Sequence, residues 1–160
     1  KVEQKKKLQL AMFLAIKEGN SKFFFKNIDS VDLRNVNKKG QNAFMLAAKY
    51  SRLNMLEALL QKGGARLVNK VDKFGRHALS NLLLQLSRDF ESVKDKDSQK
   101  ILVSDAFKVV RLLVKNGADV NQKDLSGRTP RYYARLIRKV TRRYTKKIDR
   151  YLKDRGGRKR

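Results

Sequence analysis

The 160-residue chain carries 40 Lys and Arg against 15 Asp and Glu, a formal net charge of +25, and 41 % of its residues are hydrophobic. That is one domain's worth of chain with enough apolar content for a core, and its charge raises a positive potential that draws polyanions. With no Cys and one His, thiolate zinc sites, Cys nucleophiles, disulfides and sites that need two histidines are excluded.

Residues 5–7 are all Lys, and the apolar run 8–16 follows, an order that mimics a signal peptide. Gln9 interrupts the run, however, and Lys17 and Glu18 follow it at once. The pattern predicts an amphipathic first helix that ends at Gly19 and Asn20. Phe23, Phe24 and Phe25 predict a second helix packed into the core. They do not suit an aromatic cage, because consecutive helical residues point different ways. Nothing approaches the roughly 18 apolar residues that suggest a membrane span.

Three segments then share one grammar: 37–44, 72–79 and 124–131. Each opens on Asn37, Asp72 or Asp124, whose side chain closes a turn onto its own backbone. Gly40, Gly75 and Gly127 take the positive φ of a tight turn. Asn42, His77 and Thr129 are placed to cap the helix that follows, and Pro130 fits a first helical turn. A short helix over 44–48 follows the first of these turns. A second helix follows it, with Leu53, Leu56, Leu59 and Leu60 at helical spacing. Its later counterpart holds Phe107, Val109, Val110, Leu112, Leu113 and Val114 and closes at Gly117, a position suited to a left-handed C-cap.

The spacing is uneven. Gly40 to Gly75 is 35 positions and Gly75 to Gly127 is 52. The excess in the third segment falls at about 87–105, a charged stretch predicted as a loop with lengthened helices on either side. In the last segment Arg131 stands where a core residue is expected. No Gly or Pro interrupts 131–155. Tyr133, Ile137, Val140, Tyr144, Ile148 and Tyr151 share one helical face, which suits two helices or a single long one.

The run 116–121, continued by Asp124, Gly127, Thr129 and Pro130, resembles the junction between ankyrin repeats, and residues 14–20 resemble the first-helix ending of an earlier repeat. The family unit is a β-turn plus two helices with a period of about 33 residues. The resemblance implies an all-α ankyrin-repeat solenoid of stacked helix-turn-helix units with short β-turn or hairpin junctions. Four units cover residues 1–154, at about 1–36, 37–71, 72–123 and 124–154, and a basic tail follows at 155–160. Gly63 and Gly64 absorb the two extra residues of the second unit. Leu82 and Leu83 stand where the family prefers Ala, which implies a wider helix separation there.

No catalytic constellation, metal site or cofactor site emerges. His77 has no nucleophile in its local pattern and reads as a cap, the glycines are isolated turn glycines, and Asp95 and Asp97 read as solvated. The reading is therefore a non-catalytic protein-interaction module of an intracellular, monomeric protein. The resemblance implies that its partner, one with an acidic surface, lies on the concave face. The positions concerned are Lys38, Lys39, Gln41, Met45, Lys49 and Arg52 in the second unit, Lys73, Phe74, Arg76 and Ser80 in the third, and Arg128, Tyr132 and Arg135 in the fourth. Most are cationic, with two aromatic anchors.

An alternative rests on 128–160, where 15 Lys and Arg face two acids, Asp149 and Asp154. Nucleic acid or chromatin would lie along Arg142, Arg143, Lys146, Lys147 and Arg150, continued by Arg155, Arg158, Lys159 and Arg160. An anionic lipid surface or a nuclear-import receptor fits the same charge. A further alternative is the targeting domain of a larger enzyme, such as a bacterial effector inside a host cell. The cytoplasm or the nucleus suits all three.

Overall fold

Each turn residue starts a helix pair, and the pairs stack in chain order. The computed structural model describes residues 1–140 and 146–158. Among them it has eight α-helices and no strand. The first pair is α1 (Val2–Glu18) and α2 (Ser21–Asn27). Gly19 ends α1 in the left-handed conformation, and the Asn20 side chain starts α2 by accepting the Phe23 N–H at 3.0 Å. The pairs α3 (Ala43–Lys49) with α4 (Leu53–Gln61), α5 (Ala78–Ser92) with α6 (Lys96–Lys115), and α7 (Pro130–Val140) with α8 (Lys146–Asp154) follow. The first helices pack in file, α1 on α3, α3 on α5 and α5 on α7, while α4 bridges α2 and α6. One continuous core runs between the two rows, from Met12 and Phe24 through Phe44, Leu56, Leu79 and Val110 to Tyr133 and Ile148. This is the predicted all-helical solenoid. Only Phe24 of the three consecutive phenylalanines is fully buried, as one helical face allows, and Phe25 stays 44 % exposed.

The predicted caps are in place. The Asn42 side chain accepts the Met45 N–H at 2.9 Å, and Thr129 Oγ1 accepts that of Tyr132 at 3.3 Å. His77 Nδ1 accepts the Ser80 N–H at 3.3 Å, and its Nε2 lies 2.8 Å from the Asp119 carbonyl. The ring therefore carries its proton on Nε2 and joins the start of α5 to the junction of the next unit. Thr129 does the same one unit on, donating its hydroxyl to the Arg158 carbonyl at 2.8 Å.

The stretch expected as a charged loop is helical instead. α5 continues to Ser92 and α6 begins at Lys96, so residues 93–95 alone connect them. The physical reason is that the extension carries its own core residues: Phe90 and Val103 are buried. Asp95 caps α6 by accepting the N–H groups of Asp97 and Ser98. Its acids and lysines occupy the solvent faces of two long helices.

The last unit is a pair of helices, with Tyr133, Ile137, Ile148 and Leu152 in its core. Tyr144, placed on the same face by its spacing, lies outside the described residues. Arg131 takes the register position of Phe44 and Leu79, two residues after the capping side chain. Its partner Asp149 takes that of Leu56 and Val110, counted back from Gly156, Gly63 and Gly117. Where two units have apolar side chains, this one has an ion pair of 2.7 Å, its side chains only 11 % and 10 % exposed.

The described part of the segment expected as a basic tail, 155–158, is built as another junction. Asn121 holds the Gly156 carbonyl (3.0 Å) and the Arg158 N–H (2.6 Å), just as Asn69 holds the Gly117 carbonyl (2.8 Å) and the Asp119 N–H (2.7 Å). Gly157 N–H donates to the Leu152 carbonyl, as Ala118 N–H does to Leu113.

Two outcomes follow from this packing. Asp149→Ala strands a buried guanidinium and lowers folding stability by about 3–5 kcal/mol. Arg131→Leu combined with Asp149→Val copies the third unit and recovers most of that loss in urea denaturation; an equal loss in both proteins rules out this account of the pair. The second outcome concerns pH. Burial holds the His77 pKa below its ordinary value of 6.5. The unfolded chain therefore takes up the proton first, and stability is full above about pH 7 and falls as pH drops toward the lower folded value. Thermal unfolding of His77→Thr, which borrows the cap of the fourth unit, loses that slope between about pH 7 and pH 5.

Candidate partner-binding surface

The turn tips project from the file of first helices, and their spacing is fixed by backbone. Lys73 N–H donates to the Lys39 carbonyl at 3.1 Å, and Leu125 N–H to the Phe74 carbonyl at 3.0 Å. Gly40 and Gly75 make this approach possible. Both have positive φ, and a Cβ on either would meet the next tip's backbone nitrogen, Lys73 N at 3.0 Å and Leu125 N at 2.8 Å.

Beneath the tips lies a polar network. Asp72 Oδ1 closes its own turn by accepting the N–H groups of Phe74 and Arg76, at 2.8 and 3.1 Å. Its Oδ2 accepts from Asn81 at 3.1 Å and from Gln41 of the preceding unit at 3.4 Å. Asp124 repeats the plan. Oδ1 accepts from Ser126 and Arg128, and Oδ2 takes the Tyr133 hydroxyl and pairs with Arg76 of the preceding unit at 3.6 Å. Burial disfavours the Asp124 charge, but the Tyr133 hydroxyl, the turn N–H groups and the Arg76 guanidinium outweigh it and hold the carboxyl below its usual range.

These interactions sort the thirteen concave-face positions. Lys38, Lys39, Lys73 and Arg128 stand exposed at the tips, with Phe74 44 % exposed among them. Gln41, Met45 and Ser80 are buried; Gln41 belongs to the network and lies at the bottom of the groove described next. Arg52 is turned to another task, donating to the Ile16 and Lys17 carbonyls at 3.0 and 2.6 Å and so closing the end of α1. Tyr132 and Arg135 are half-buried on α7, with the Arg128 guanidinium 5.1 Å from the Tyr132 ring centroid.

Between the second and third units the surface sinks into a groove of about 200 Å³ lined by Lys39, Lys49, Phe74, Arg76, Leu84, Gln85 and Arg88. The Arg76 guanidinium sits 4.9 Å from the Phe74 ring centroid. Burial, then repulsion from Lys39 and Arg88, holds the Lys49 pKa below its ordinary value. Among the described residues no carboxylate lines this groove, because both oxygens of Asp72 are engaged beneath it. Leu84, Gln85 and Arg88 are absent from the sequence expectation. Ser80, Leu84 and Arg88 do recur at four-residue steps, but Arg88 falls in the stretch assigned to a loop.

The C-terminal candidates divide as well. Arg142, Arg143, Lys159 and Arg160 lie outside the described residues. Lys146, Lys147 and Arg150 are exposed on α8. Arg155 lies over the Tyr151 ring, its guanidinium 3.5 Å from the centroid, and Arg158 is tied by its backbone to Asn121. Among the described residues no His, Cys, Asp and Glu cluster is placed to hold a metal ion, and no helix is long and apolar enough to cross a membrane.

No curated protein gives a significant match to the chain. The ankyrin-repeat family model matches residues 39–73 and 102–125. The first match spans the second unit from its turn tip to that of the third, and the second covers α6 from Leu102 onward with the junction that follows. Ankyrin repeats are protein-interaction modules and are typically non-catalytic. Stacked helix pairs, turns joined tip to tip and the two family matches are together consistent with an ankyrin-repeat protein.

Proposed function

We propose that the chain binds an acidic segment of a protein partner along its concave face, inside a cell, with the groove between the second and third units as its centre. The observation that carries this reading is the composition of that groove. Lys39, Lys49, Arg76 and Arg88 converge on it, Phe74 stands at its rim, and no carboxylate lines it among the described residues. Repulsion among these cations and the partial desolvation of Lys49 are costs that the free protein bears. A partner carboxylate in the groove removes both, so binding gains more there than at an isolated surface lysine. Phe74 supplies apolar contact for a neighbouring side chain of the partner. The tips at Lys38, Lys73 and Arg128 continue the positive field to either side and speed association. Specificity then lies in the spacing of acids along the partner, which must match tips fixed by the backbone bonds between them.

A fluorescein-labelled peptide of alternating Asp and Glu with one central Leu tests this. It binds with an affinity that falls as salt is raised. Lys39→Glu, Arg88→Glu and Phe74→Ala each weaken it by about 1 kcal/mol or more. Arg52→Gln lowers folding stability and leaves the peptide affinity within about threefold, since that side chain is committed to the end of α1. Absence of binding at low salt, or binding indifferent to the groove substitutions, refutes the reading.

A further inference from the structure

The second helices carry a different surface, on the side of the stack formed by α4, α6 and α8. A broad groove of about 680 Å³ runs there, bounded by Lys108, Arg111 and Lys115 of α6 and by Arg155 beyond α8, with Glu57 as its acid. A second hollow of about 340 Å³ adjoins it, bounded by Lys146, Lys147 and Arg150 of α8, with Asp154 as its acid. The two share a floor, Phe107 and Tyr151, whose rings meet edge to face at 5.4 Å and 89°. Among the described residues no turn-tip or first-helix residue lines either hollow.

We propose that this double groove is a binding site for a single strand of nucleic acid, with phosphates held by the cations of α6 and α8 and bases stacked on the planar groups of the floor. It goes beyond the concave-face reading and shares no residue with it. Among the described residues seven cations stand against two acids around the two hollows, which matches a linear polyanion. The planar groups favour bases over plain charge neutralisation. Arg155 lies 3.5 Å from the Tyr151 centroid, and the Arg111 guanidinium stands 6.0 Å from that of Phe107. An exposed guanidinium over a ring offers a planar face for a base to stack upon and N–H groups to a phosphate. A membrane surface fits less well, because Phe107, Leu112, Val114 and Tyr151 are half-buried in the floor and do not project as a wedge into lipid. The α6 cations are the discriminating feature. A tract of basic residues acting only as a mobile charge near the C-terminus has no need of α6, whereas a channel between the helices does.

The test is fluorescence anisotropy of the whole chain with a labelled thymidine dodecamer, titrated with salt. Wild-type protein binds, and log affinity falls linearly with log salt. Lys108→Gln, Arg111→Gln and Lys115→Gln in one protein, all exposed positions on a helix that tolerates Gln, lower affinity at least tenfold and flatten the salt slope by up to about two units, at roughly 0.7 per lost phosphate contact. Circular dichroism confirms that this variant stays helical. Phe107→Leu keeps the charge and lowers affinity for the dodecamer more than for an abasic strand of equal length. Lys39→Gln with Arg88→Gln, on the concave face, leaves both affinities within about twofold, which separates this site from the acidic-partner groove. Three results each overturn the proposal: no binding at low salt, α6 replacements without effect, or binding to phosphatidylserine vesicles that is lost in the α6 variant while the dodecamer goes unbound.

Discussion

The two oxygens of a turn carboxylate point in different directions, and the stack depends on that division. In Asp72 and Asp124 one oxygen accepts two backbone N–H groups and fixes the local turn, while the other reaches a side chain of the preceding unit, Gln41 or Arg76. The second oxygen is met from within its own unit as well, by Asn81 or the Tyr133 hydroxyl, so each carboxylate joins its local turn and helix to the preceding unit. Asn37 does the local half of the task with its carbonyl oxygen and donates its amide to Gln41. The network changes chemistry from unit to unit, using Asn81 in one and the Tyr133 hydroxyl at the equivalent helical position in the next. What is kept is a donor aimed at the second oxygen.

Charge placement follows from the same network. The acids that could neutralise the concave face are spent below it: Asp72 and Asp124 are buried with their oxygens engaged. Lys38, Lys39, Lys73 and Arg128 stand exposed at the tips, whereas Arg76 is turned inward to Asp124. A chain with fifteen acids thus presents its cations on the tips and on the second-helix face.

The fourth unit shows how far the inner contacts can be altered while the geometry is retained. Arg131 and Asp149 replace an apolar pair, and Arg131 also reaches the Gly157 carbonyl at 3.3 Å. A hydrophobic contact is indifferent to orientation, whereas this pair is directional and links α7, α8 and the segment beyond it. The same segment is gripped by Thr129 and Asn121. Its basic composition gives no hint of this, since the contacts are made by backbone carbonyls and N–H groups that every residue possesses.

By itself the sequence determined the units. Asn37, Asp72 and Asp124 with their glycines and caps act over five or six residues, and local backbone chemistry of that kind is written in residue type. The apolar spacing predicted helices, and the resemblance of 116–130 to an ankyrin-repeat junction implied that they stack as a solenoid. Sequence reading stopped where the outcome depends on a residue from another unit. The 87–105 stretch reads as loop by charge, yet it is helix because Phe90 and Val103 find the core. Gln41, Met45 and Ser80 read as surface by register, yet adjacent units cover them. Arg52 reads as one more cation on a basic face, and only the fold brings the end of α1 to its guanidinium. Phe107, Arg111, Tyr151 and Arg155 are widely separated along the chain, and their grouping into one groove exists only after α6 and α8 have packed. Local hydrogen bonds set the turns and caps, while burial between units decides that 87–92 and 96–105 are helix and which side chains stay exposed.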